Sequence, residues 1–110
     1  MCKTDNLEFR TEKGTMRVKL TGDIDHHSAK LIRKRIDSEM FINRPYELCL
    51  DLSQIEFMDS SGLGLILGRY QTATEMGIGF SIYEPSPSVC KILKLSGLEK
   101  MINIIRGKEK

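Results

Sequence analysis

The chain has 110 residues, 40% apolar and 29% charged, a composition that makes one globular domain and excludes a disordered chain. Seventeen Lys and Arg against fifteen Asp and Glu leave a formal charge of +2. With 6% aromatics and no Trp, that small surplus points away from a binder of phosphate backbones or stacked bases.

Residues 1–6 hold no apolar run, so no signal peptide is expected, and the longest apolar stretch, around residues 63–67, falls far short of the about 18 residues of a membrane helix. Cys2, Cys49 and Cys90 are widely spaced and odd in number. They make neither a disulfide framework nor a metal knuckle, and idle, reduced thiols in a cytoplasm are expected.

In chain order, Leu7 and Phe9 alternate with polar neighbours, Lys13-Gly14 signals a turn, and Met16, Val18 and Leu20 face one side with Arg17 and Lys19 on the other. This predicts a β-hairpin with one wet face. Residues 21–25 break the pattern and are expected to form a loop. Ala29, Ile32, Ile36 and Met40 have helical spacing over residues 28–40, ended by Arg44-Pro45, and Arg33, Lys34 and Arg35 between them are expected as a solvated face, with a patch for an anionic partner as the alternative. Over residues 47–52, Leu48, Cys49, Leu50 and Leu52 are apolar on both faces with Asp51 near the end, as a central strand would be.

From Ser60 the period is helical again, with Leu63, Ile66, Leu67, Tyr70 and Ala73 as the stripe and Gly77 as the stop. Ile78, Phe80 and Ile82 alternate as a strand. Ser86-Pro87 starts a third helix with Val89, Ile92 and Leu93 inward, and Gly97 ends it. Ile102, Ile104 and Ile105 fit a last short strand or a helical turn, and the tail after Arg106 is expected to fray. The order β-β-α-β-α-β-α predicts a single α/β domain over residues 1–110. Its sheet is mixed, with four to five strands, the strands near residues 48 and 80 parallel, and helices mainly on one face.

The informative segment is residues 51–70. A strand ends, a short loop follows, and a helix opens at Asp59-Ser60-Ser61-Gly62. In open α/β sheets the carboxyl ends of strands are where ligands and partners bind, and a helix N-terminus offers unpaired N–H groups and a partial positive charge. Ordinary capping by Asp59 or Ser60, with Gly62 and Gly64 allowing close packing, accounts for the same residues. Enzyme motifs fail here. Met58 stands two before Ser60 and Asp59 two before Ser61, which excludes a G-x-S-x-G elbow. Leu67 stands where G-x-G-x-x-G needs its third Gly, and no P-loop occurs. His26 and His27 are adjacent, so they do not readily share a metal, and neither lies in the strand–helix loop as a base for a serine.

The stretch Phe57-Met58-Asp59-Ser60-Ser61-Gly62-Leu63-Gly64, with Leu67-Gly68-Arg69-Tyr70, resembles the anti-sigma factor antagonists, the bacterial members of the STAS family (sulfate transporter and anti-sigma factor antagonist). Residues 20–27 and Ser96-Gly97-Leu98 support the likeness, which covers residues 7–105. His26-His27 and Leu67-Gly68-Arg69-Tyr70 are most like the sporulation branch; antagonists of stress-response sigma factors are the near alternative.

The resemblance implies a regulatory protein without catalysis, cofactor or metal. It implies that Ser60 is phosphorylated by the anti-sigma factor, itself an ATP-dependent serine kinase, and that a PP2C-type phosphatase reverses this. Asp59, Ser61 and Gly62 would complete the docking loop, and Asp23 and Asp25 would add an acidic part of the partner surface, Asp23 being shorter than the Glu relatives often carry there. Unphosphorylated protein would bind the kinase, with its ADP or ATP, and release the sigma factor. Neither nucleic acid nor membrane is expected as a partner. Two other classes remain to weigh: a small hydrolase using Ser60 or Ser61, and a STAS module that senses a nucleotide or small molecule.

Overall fold

Lys13 and Gly14, both at positive φ, close a two-residue hairpin between β1 (Leu7–Glu12) and β2 (Thr15–Ile24), as a type I′ turn requires. The structure, a computed structural model, describes residues 7–106; Cys2 and the tail beyond Arg106 lie outside the described residues. The remaining elements are α1 (His26–Asn43), β3 (Glu47–Met58), α2 (Ser60–Glu75), β4 (Gly79–Tyr83), α3 (Pro87–Ser96), a 3₁₀ turn (Leu98–Lys100) and β5 (Asn103–Ile105). The five strands lie in sequence order, with β1 antiparallel to β2 and the other neighbours parallel. The mixed sheet and the parallel pairing near residues 48 and 80 are as the sequence predicts, and Ile104 and Ile105 fall in the strand option.

Alternation sorts the sheet's two faces. Met16, Val18, Leu20, Leu48, Leu50, Phe80 and Ile82 are buried in one hydrophobic cluster with Ile32, Ile36 and Met40 of α1, Leu65, Ile66 and Ala73 of α2, and Val89 and Leu93 of α3. The helices thus share one face. The other face is polar: Arg17 lies over the Tyr83 ring at 4.3 Å, and Ser81 donates to Glu47 at 2.8 Å. Beneath that cover Cys49 is buried, and burial pushes its thiol pKa up, which keeps it inert at neutral pH.

Three expectations need correction. Residues 21–24 are strand, not loop: β2 continues to Ile24, with Gly22 at φ +85° among register shifts. Likewise β3 runs on to Met58. Between the pairs Lys19↔Asp51 and Ile24↔Met58 it advances seven residues while β2 advances five, so β3 carries two bulged residues. Those bulges break the period-2 signal at Ser53 and Gln54, which made the strand look finished at Leu52. Third, the stripe of α2 is rotated. Leu65 and Arg69 are buried with Ile66 and Ala73, whereas Leu63, Leu67 and Tyr70 are only partly buried. The α1 stripe, in contrast, is the expected one, though the helix begins at His26 instead of residue 28.

Candidate docking site at the heads of two helices

Ile24 and Met58 are paired at the carboxyl ends of β2 and β3, and each is followed by one aspartate and then a helix. The Asp59 N–H donates to the Ile24 carbonyl at 3.3 Å, which ties the two exits together. Two helices therefore start side by side from one rim of the sheet.

Each aspartate is an N-cap. Asp25 accepts from the Ser28 N–H at 2.9 Å, and the Asp25 N–H donates to Ser28 Oγ at 3.0 Å, a reciprocal capping box. The Ser28 amide holds the Asp25 carboxyl below its usual value. Asp59 Oδ1 accepts from the Ser61 N–H at 2.8 Å. Of the two caps open for α2, the structure therefore uses Asp59. Ser60 is left at the first helical position, exposed to solvent. Ser61 is half-buried. Gly62 is buried, and a Cβ there would lie 2.0 Å from Met58 Cγ, so the missing side chain lets α2 sit down on the strand ends. Asp23 and Asp25 are both exposed. The rim thus gathers Asp23, Asp25, Asp59, Ser60 and Ser61 at one end of the fold, with Gly62 beneath them.

Two features of this region escape a reading by residue type. Arg69, 5% exposed, places Nε 2.7 Å from Asp37 Oδ1, out of line for a hydrogen bond and so an ion pair between α2 and α1. Burial lowers the Arg69 pKa and Asp37 opposes that, leaving a cation that locks the helices together. Secondly, the basic run of α1 is divided. Lys34 stays on the solvated face and Arg35 reaches Glu39 at 3.9 Å, whereas Arg33 joins His26, Lys30, Ser61 and Gly64 along a cleft between the helices. Only the register of α1 against α2 reveals this.

The site presents exposed carboxylates and a hydroxyl on one rim, as a docking surface does. Neither His26 nor His27 donates to or accepts from a serine in the hydrogen bonds found among the described residues. Among the described residues no group of three His, Cys, Asp or Glu gathers to hold a metal, and no helix is long and apolar enough to cross a membrane.

Comparison with known proteins gives a consistent answer. The STAS domain family profile matches residues 6–110. The chain is 35% identical over 98 residues to the anti-sigma F factor antagonist of Paenibacillus polymyxa, covering 89% of this chain and 84% of the relative. Its fold matches the anti-sigma factor antagonist SpoIIAA in its unphosphorylated form, with TM-score 0.80 at 29% identity over 94% of this chain and 89% of that one. It also matches the Bacillus cell fate determinant SpoIIAA in the phosphorylated form, with TM-score 0.75 at 28% identity over 94% and 92%.

Proposed function

The chain belongs to the STAS domain family, and from that membership we infer that it is an anti-sigma factor antagonist, a regulatory binding protein switched by phosphorylation of Ser60. In this reading the unphosphorylated protein binds an anti-sigma factor in a cytoplasm and frees the sigma factor, in the manner of the sporulation branch. The anti-sigma factor carries ADP or ATP and is the kinase. It moves the γ-phosphoryl of ATP to Ser60 Oγ, breaking the terminal P–O bond and releasing ADP and a proton. A PP2C-type phosphatase hydrolyses the ester. Asp23, Asp25, Asp59 and Ser61 contribute the docking surface, and Gly62 contributes by keeping α2 close to the strand ends.

The observation that carries this reading is the position of Ser60. It is the exposed first residue of a helix whose cap is supplied by the neighbouring Asp59, so its hydroxyl is spare. A phosphoserine there adds about −1.5 to −2 charges beside an existing carboxylate. The helix end tolerates that charge within the monomer, so the fold need not move. An interface that must desolvate it, or that brings acidic groups or nucleotide phosphates toward it, does not tolerate it. A penalty of about 4 kcal/mol weakens docking about a thousandfold.

Incubation with the anti-sigma factor of the same genome and ATP tests the assignment. Intact-mass measurement is expected to show one added phosphate on the wild type and none on Ser60→Ala. Phosphate on the Ser60→Ala variant, or none on the wild type, contradicts it.

A further inference from the structure

His26, Lys30 and Arg33 lie at successive turns of one flank of α1. That flank faces α2, where the three line a cleft of about 230 Å³ with Ala29, Ser61, Gly64 and Leu65. Two helix N-termini already put positive partial charge at this end, and neither first turn holds an acid. Lys30 and Arg33 follow in the second and third turns of α1 as a like-charge i,i+3 pair, whose repulsion an anion between them would relieve. The nearby carboxylates are committed elsewhere: Asp25 and Asp59 accept from the Ser28 and Ser61 amides, and Asp37 pairs with Arg69. Arg33 adds its own repulsion to Arg69, and no residue lining the cleft is acidic. A feature that breaks a local rule without a structural return points to a ligand.

We propose that the cleft is the receptor for the phosphoryl group of Ser60 in the same chain, held by Lys30 and Arg33 with the His26 ring at the rim. The inference rests on the reading of Ser60 as the phosphorylated residue. Ser60 and Gly64 lie one turn apart on the same flank of α2. Gly64 lines the cleft, and a Cβ built on it would meet nothing within 4 Å, so the way from Ser60 into the cleft is open. Lys30 and Arg33 are exposed and end in long, adaptable stems that can close on a dianion; Arg33 can do so with two N–H groups. Phosphorylation then changes the docking surface twice over. It adds a dianion, and it withdraws two cations that an approaching partner would otherwise meet.

The test uses the full chain with phosphoserine incorporated at position 60 during synthesis, so no kinase is needed. The phosphorus NMR shift is followed against pH. A free phosphoserine loses its second proton near pH ~6. Capture by Lys30 and Arg33 is expected to move that midpoint down by about half a pH unit or more. The variant Lys30→Ala/Arg33→Ala is expected to restore the ordinary midpoint, whereas Lys34→Ala, which removes an exposed cation outside the cleft, leaves the wild-type value. All three positions are exposed, so the variants keep the fold. A wild-type midpoint at the ordinary value overturns the proposal, as does an equal change with Lys34→Ala. Whether phosphate at Ser60 governs partner binding does not enter this titration, so the functional reading stands or falls separately.

Discussion

Asp25 and Asp59 cap neighbouring helices from one rim, yet they leave different residues free. Asp25 is closed into a reciprocal box with Ser28, while Asp59 takes only the Ser61 amide, so Ser60 carries no capping duty. The Asp25 carboxyl is held below its usual range, chiefly by the Ser28 N–H. A depressed acid contributes stability that is complete above its unfolded-state value, near ~3.9, and is lost as pH falls through its lower folded-state value. Asp25→Asn, still a good cap, is therefore expected to melt like the wild type at pH 7 and to lose less on acidification below pH ~4. Asp25→Ala is expected to melt lower at pH 7 as well. Thermal melts by circular dichroism at pH 7 and pH 3 check both, and identical curves for all three proteins would remove the cap from the account.

Two glycines a half-turn apart give α2 two different jobs. Gly62 is pressed against Met58 and Ile24, whereas Gly64 faces open space. Gly62→Ala drives a methyl into Met58, a strain of about 1–3 kcal/mol that exceeds the up to about 1 kcal/mol gained in helix propensity. Gly64→Ala takes the propensity gain with no clash. Urea unfolding is expected to show the first variant less stable than wild type and the second more stable; the reverse order would mean that α2 does not sit on the strand ends as described. The glycines themselves were legible in the sequence, as were the apolar positions of α1, the strand around Phe80 and the caps at Ser86 and Gly97. What was hidden came from tertiary pairing. The bulges of β3 erase alternation at Ser53 and Gln54, and Arg69 is buried only because α1 brings Asp37 to it.

At the scale of the molecule, the fold is a carrier for one rim. A hairpin leads into β2 and one parallel crossover through α1 sets β3 beside it, and the helices that leave the two strands are packed on a single core below. The Asp-Ser-Ser-Gly motif was legible because it is contiguous in sequence. The Lys30–Arg33 cleft was not, because its two walls are separated by all of β3 and exist as a unit only once α1 meets α2. In the proposed reading such a rim alternates between two charge states while the core stays fixed, and that separation would make a one-residue switch sufficient. The most direct measurement is the affinity of the anti-sigma factor of the same genome for two proteins, the unmodified chain and the chain bearing phosphoserine at position 60, with circular dichroism recorded on both. The account predicts binding at least about a hundredfold weaker for the phosphorylated chain, a difference of about 2.7 kcal/mol, with unchanged spectra and cooperative melting from a folded baseline in both. Equal affinity, or weaker binding accompanied by loss of the folded spectrum, would contradict it.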